Sequence, residues 1–229
     1  MDISLYYQEK GQGIPFVLLH GNGESGEYFK KQIEYFSNQY RMITVDTRGH
    51  GKSPRGTAPF TMDQFAEDLN AFLEEKNINN IILLGFSDGA NIAIKFALKH
   101  QDKIRALILN GADLDTKGVK RSVQIPIEIA YRISRLFQNK SEEAKLKTEI
   151  LGLMVNEPNI KTEELHSIKV PTLVIVGSKD LIKEKHSRLI ADSIKGSELS
   201  IVEGNHFIAG KNPTGFNKEI EKFLSKTIK

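Results

Sequence analysis

The sequence predicts an α/β protein with a mostly parallel central sheet and helices on both of its faces. Two observations carry this. Short apolar runs rich in β-branched residues recur along the 229 residues, and amphipathic stretches of helical length separate them. Most of the runs are continuous rather than alternating, as expected of strands covered on both faces. Strand alternating with helix implies parallel neighbours joined by crossovers.

In chain order, Ile3–Glu9 (ISLYYQE) is expected to form one antiparallel strand. The buried runs follow as Phe16–His20, Arg41–Asp46, Ile81–Phe86, Ala106–Asn110, Thr172–Gly177 and Leu199–Glu203. Between them Met62–Lys76, Ala90–Lys99, Glu184–Ile194 and Pro213–Ser225 read as helices, with Pro213 at a helix start, where its missing N–H costs nothing. The interval from Leu114 to Leu165 breaks the rhythm. It lacks a strong strand signal and carries two helical patterns. In the first, Ile125, Ile129, Ile133 and Phe137 repeat at i, i+4 around an Arg-rich opposite face. The second runs from Ser141 to Val155 and is closed by Pro158 and Asn159. The division expected is a core of residues 1–113 and 166–229 with a small helical lid, 114–165, whose apolar residues (Met154 among them) suit an acyl pocket or plain packing.

Composition narrows the function classes. A 39% hydrophobic and 27% charged chain is an ordinary globular one. The net charge of +3 (32 Lys and Arg against 29 Asp and Glu) is spread along the chain without a basic block, so no nucleic-acid partner is expected. There are no cysteines, which excludes disulfides, thiolate catalysis and cysteine-based zinc sites. No apolar run is long enough to span a bilayer and no secretory leader is visible. The expectation is a cytoplasmic protein without a membrane partner; its oligomeric state is not legible.

Gly85-Phe86-Ser87-Asp88-Gly89 is a G-x-S-x-G sequence directly after one strand and before a helix. In that setting a tight, strained turn projects the serine hydroxyl past the end of the sheet. The glycines are needed where the helix crosses close over the strand. The bland reading is a turn with Ser87 as a capping residue. A serine hydroxyl needs a base, and His206, just past the last strand, is the best placed of six histidines. His20 and His50 belong to other motifs, and His100, His166 and His186 lie on segments that read as solvated. Asp180, past the strand Thr172–Gly177, is the expected partner acid, with Asp113 as its competitor. Oxyanion donors are expected from the backbone N–H groups of Asp88 and of Asn22, in the loop His20-Gly21-Asn22-Gly23.

These residues, together with Asp46-Thr47-Arg48-Gly49-His50-Gly51-Lys52-Ser53, resemble the α/β-hydrolase superfamily over nearly the whole chain. The D-x-R-G-x-G-x-S segment is similar to that of small esterases, enol-lactonases and carbon–carbon-bond hydrolases. There it shapes the loop beside the oxyanion hole. The resemblance implies a Ser87–Asp180–His206 triad acting on a small carboxylic ester or lactone, without metal or organic cofactor. It also implies that the first strand of the full family sheet is missing and that the small lid disfavours large substrates. In some relatives with Ser-Asp-Gly at the elbow, the Asp side chain lies near a substrate ammonium. Asp88 would act in the same way, or else cap the following helix.

Two rivals remain at this stage. One is a non-catalytic binding or signalling protein on the same fold. The other is a dinucleotide-binding oxidoreductase, because Gly21-Asn22-Gly23-Glu24-Ser25-Gly26 is a literal G-x-G-x-x-G and Asp46 follows at the right interval.

Overall fold

A computed structural model describes residues 2–228. Seven strands form one sheet in the order β1-β3-β2-β4-β5-β6-β7. They are β1 (Tyr7–Lys10), β2 (Pro15–Leu19), β3 (Arg41–Val45), β4 (Ile81–Phe86), β5 (Ile104–Asn110), β6 (Thr172–Lys179) and β7 (Glu198–Asn205). All neighbours are parallel except β1, which pairs antiparallel with β3, Tyr7 opposite Val45. The first strand thus has the expected direction but starts at Tyr7 and not at Ile3.

The helices are α1 (Lys30–Phe36), α2 (Met62–Glu75), α3 (Asp88–His100), α4 (Arg121–Arg135), α5 (Glu142–Asn156), α6 (Thr162–Leu165), α7 (Glu184–Ser193), α8 (Ile208–Lys211) and α9 (Pro213–Thr227). Successive strand residues point to opposite faces, so β2 and β4 feed two cores at once. Val17, Leu19 and Leu83 pack with Phe72 of α2, Ile92 of α3 and Ile190 of α7. Phe16, Leu18, Ile82 and Leu84 pack with Phe36 of α1 and Phe216 and Phe223 of α9. This double burial is why the strands read as continuous apolar runs.

The interval between β5 and β6 holds α4, α5 and α6. Its start is stitched to the loop after β6: Lys120 N–H donates to Leu181, Lys183 N–H to Gly118, and Val119 bridges Ile182. His186 is part of this seam. It is half-buried, its Nε2 accepts from Leu114 N–H at 2.9 Å, and Gly118 leaves room for its ring. The solvated role expected of His186 is therefore corrected.

The orientation of α4 corrects a second expectation. Ile125, Ile129, Ile133 and Phe137 turn away from the molecule and are about half exposed, so they line no acyl pocket. Periodicity identifies an apolar stripe but carries no information about which way the helix is rolled.

Candidate active site

The site lies at the carboxyl ends of β2, β4, β5, β6 and β7, where open α/β sheets bind ligands. At its centre the chain leaves β4 through Ser87, whose φ of 53° and ψ of −120° are left-handed in a residue with a Cβ. Such a conformation costs about 1–3 kcal/mol and persists only where the surroundings hold it. Here Ser87 N–H donates to the Asn110 carbonyl of β5 at 2.8 Å, and the Ser87 carbonyl accepts from Ala90 and Asn91. A Cβ on Gly85 would drive into the Gly89 carbonyl, and one on Gly89 into that of Leu19. The two glycines exist for this close crossing. Ser87 makes no side-chain capping bond to α3, which rules out the capping role.

His206 follows β7 directly and is buried. Its Nδ1 lies 2.7 Å from Asp180 Oδ1. An ionised carboxylate can only accept, so Nδ1 carries the proton and Nε2 keeps a free lone pair. Asp180 is fixed in turn: Oδ1 also accepts from Ile182 N–H at 3.0 Å and Oδ2 from Gly177 N–H at 3.1 Å. Burial works against its charge, but the hydrogen bond from His206 and those two backbone bonds outweigh it and hold Asp180 below the usual carboxylate range. The imidazole rests on Gly111, where a Cβ would come within 2.7 Å of Cε1, and against the Phe86 ring, 4.8 Å between centroids. Phe86 precedes Ser87 and Gly111 follows the carbonyl that holds it. The structure therefore brings Asp180 and His206 into direct contact and sets them beside the elbow. Among the described residues the Ser87 hydroxyl makes no hydrogen bond to the imidazole.

Asp113, the competing acid, is not the partner of His206. It pairs with Asn91 of α3, accepting from Nδ2 at 2.9 Å and donating its N–H to Oδ1. Burial pushes its carboxyl up to about 7.

The loop after β2 meets α3 and α5 through one side chain. Asn22 Nδ2 donates to Asp88 Oδ2 at 2.7 Å and to the Ile150 carbonyl at 3.0 Å. That bond, not a helix cap, is the partner of the Asp88 carboxylate, whose pKa burial raises to about 6. The backbone N–H of Asp88 opens α3, where first-turn N–H groups lack an intrahelical acceptor. Asn22 brings its own loop against that helix start.

His20 and His50 support the loops without facing the elbow. His20 Nε2 accepts from Thr47 N–H at 3.0 Å, so its Nδ1 donates to the Gly21 carbonyl at 2.8 Å. Burial, then the neighbouring His50, lower its pKa to about 4, which keeps it neutral. Arg48 is wholly buried and forks onto Asp68, with Asp2 completing the set. Asp46 accepts from Gly26 N–H at 2.7 Å and Lys52 N–H at 2.9 Å. Asp46 is buried and ties two loops together, so its carboxylate faces no open cleft that could hold a ribose. The dinucleotide reading is overturned.

Sequence reasoning missed part of the surroundings. A narrow pocket runs from Ser87 under α4, with Val119, Val123, Ile127, Met154, Leu181 and Ile182 as its apolar lining. Three carboxyl groups also line it: Asp88, Asp113 and Glu157. Burial raises Glu157 as well. In the sequence Asp88 stands out for its place at the elbow and Asp113 as a rival acid after β5, whereas Glu157 carries no signal there. Tyr28, stacked on Phe86 at 4.4 Å, also braces the elbow and had no signal in the sequence.

Comparison with known proteins gives the family. Residues 14–127 match the family described as alpha/beta hydrolase fold. A putative non-heme chloroperoxidase of a Synechocystis strain is 27% identical, covering 97% of this chain and 95% of its own. The protein is a member of the α/β-hydrolase superfamily. A 3-oxoadipate enol-lactonase of Acinetobacter baylyi is 25% identical over 98% of this chain and 94% of its own. Among solved structures, a bromoperoxidase from Bacillus anthracis superposes with a TM-score of 0.84 at 24% identity, covering 97% and 96% of the two chains. The hydrolases, esterases and lactonases among the relatives make this chain a hydrolase at the level of class.

Proposed function

We propose that this protein is a serine hydrolase cleaving a small carboxylic ester or lactone through an acyl-enzyme, with Ser87 as nucleophile, His206 as base and Asp180 as partner acid. The observation that carries the reading is the strained Ser87 backbone set beside an Asp180–His206 pair 2.7 Å apart. Strain of this kind is held where it serves chemistry, and the carboxylate leaves imidazole Nε2 as the basic nitrogen. Catalytic hydrogen bonds commonly tighten only when substrate is bound.

In the acylation step His206 Nε2 takes the hydroxyl proton as Ser87 Oγ attacks the carbonyl carbon. The N–H groups of Asp88 and Asn22 hold the oxyanion, and Asp180 stabilises the imidazolium. His206 then protonates the departing alkoxide. Water, deprotonated by the same nitrogen, releases the acid and restores Ser87. No cofactor enters this scheme. In the lid role, α4 and α5 roof the pocket.

The pocket lining refines the substrate class. Three carboxyl groups and no basic side chain line the pocket beside Ser87, so an acyl group seated there and bearing its own carboxylate would be disfavoured. Neutral or cationic acyl groups fit. A cationic one would draw on the Asp88 side chain as binding partner.

Ser87→Ala and His206→Ala should each lower kcat on p-nitrophenyl esters by roughly 10⁴–10⁶-fold in folded protein. Undiminished turnover in either variant removes the assignment. A folded wild type inert to esters and lactones would favour a binding protein instead.

A further inference from the structure

Helix α4 carries its longest apolar stripe on its outer face. A surface helix normally turns its apolar stripe to the core. Here the protein-facing side is mixed: Val123 and Ile127 share it with Gln124, which is buried and donates to the Met154 carbonyl at 3.3 Å, and with Tyr131, which packs on Gly152 and accepts from Asn156. The stripe faces outward, with Ile125 43%, Ile129 52% and Ile133 52% exposed, continued past the helix end by Leu136 at 77% and Phe137 at 45%. Only four other large apolar side chains are comparably exposed among the described residues, and they come from separate segments (Tyr35, Leu189, Ile201 and Phe207). Scattered exposure needs no explanation, whereas a contiguous stripe marks a contact surface.

The charge beside the stripe identifies what it contacts. At about 100° per residue, Arg121, Arg132 and Arg135 all fall on one flank of the stripe, and all three are exposed. None of them forms an ion pair among the described residues. Lys140 sits 4.4 Å over the Phe137 ring, and Lys117 and Lys183 border the groove beside Ile125. Glu128 is the lone carboxylate on the helix.

We propose that the outer face of α4 docks on an anionic lipid surface, its isoleucines entering the headgroup boundary and its arginines meeting lipid phosphates. Amphipathic helices with basic flanks lie in that plane, and long basic side chains reach up to the headgroups. No described helix is long and apolar enough to cross a membrane, so the contact is peripheral. This reading departs from the absence of a membrane partner expected of the sequence. A second copy of the chain fits less well. An antiparallel two-fold contact would bring two arginine flanks together, and in either orientation one helical stripe falls short of the roughly 20–30 residues a side that stable interfaces use. Because Val123 and Ile127 on the inner side of α4 line the pocket, docking would set the roof of the site against the lipid.

The test is flotation of the full chain with vesicles of phosphatidylglycerol and phosphatidylcholine in equal parts, against phosphatidylcholine alone. Light scattering reads the oligomeric state alongside. The expected result is binding to the anionic vesicles only, weakened by salt. Arg132→Gln with Arg135→Gln should weaken it roughly 30-fold, from the attraction each basic residue near an anionic surface contributes. Ile129→Glu with Ile133→Glu, at exposed positions outside the pocket, should abolish it while circular dichroism stays unchanged. Absence of binding by the wild type, equal binding to neutral vesicles, or binding retained by the isoleucine double variant would overturn the proposal. So would a dimer that Ile129→Glu dissolves without any vesicle binding, which would assign the face to a second copy.

Discussion

Replacing Asp180 by Asn changes one atom and separates the roles of the two oxygens. In the wild type Oδ1 accepts from His206 and Ile182, and Oδ2 accepts from Gly177. An amide offers one acceptor oxygen and one donor nitrogen. If the oxygen faces His206, the NH₂ is pressed against Gly177 N–H and that bond becomes a donor–donor contact. If the NH₂ faces His206, the imidazole must present a lone pair at Nδ1, and its proton moves to Nε2, where it cannot act as base. The first arrangement costs about 1–3 kcal/mol of stability for the unpaired buried group; the second loses the working tautomer. Loss of the carboxylate also removes stabilisation of the imidazolium, and together these are expected to lower kcat roughly 10⁴-fold, about 5 kcal/mol of barrier. The assay is steady-state hydrolysis of p-nitrophenyl butyrate, with folded protein counted by circular dichroism. Turnover within tenfold of wild type would refute the reasoning. If Asp113→Asn, in the same assay, lost activity instead, the acid would be Asp113.

Three further expectations follow from named contacts. Asp68→Ala leaves the buried Arg48 guanidinium with only Asp2 as ion-pair partner and should destabilise the protein by about 3–5 kcal/mol in urea titration; a change under about 1 kcal/mol would mean that Arg48 is solvated in solution. Ser87→Gly relieves the left-handed strain that Ser87→Ala retains, so the Gly variant should be the more stable by about 1 kcal/mol, and equal melting temperatures would remove the strain argument. The Asp113 carboxyl, raised to about 7 by burial, binds its proton in the folded state across a range where the unfolded chain has released it. It therefore penalises the fold increasingly as pH rises from about 4 to 7, with the full penalty above 7. Asp113→Asn, which can still accept from Asn91, should gain on the order of 2 kcal/mol at pH 8, allowing for partial exposure, and nothing at pH 4. A gain independent of pH would deny the shifted carboxyl.

The core strands and the elbow were legible because their constraints are local. A strand covered on both faces must be apolar at every position, and a helix crossing close over a strand must carry glycine at Gly85 and Gly89. The places of Asp180 and His206 followed from strand order alone. The three-dimensional environment was not legible. The Ile125–Ile133 stripe predicts a helix but not its roll, which is set by Gln124 and Tyr131 finding partners on α5. His186 looks like any helical histidine until Leu114, far away in sequence, presents an N–H to it. The partnership of Asp88 with Asn22, and the convergence of Asp113 and Glu157 on the same pocket, join segments that one sequence does not show to be neighbours.

The activated serine is tested most directly by intact-mass spectrometry after treatment with a fluorophosphonate, followed by peptide mapping. The account predicts one adduct per chain, on Ser87, formed rapidly by the wild type and not by His206→Ala. A folded wild type that takes no label, or a His206→Ala variant that labels as fast, would contradict it.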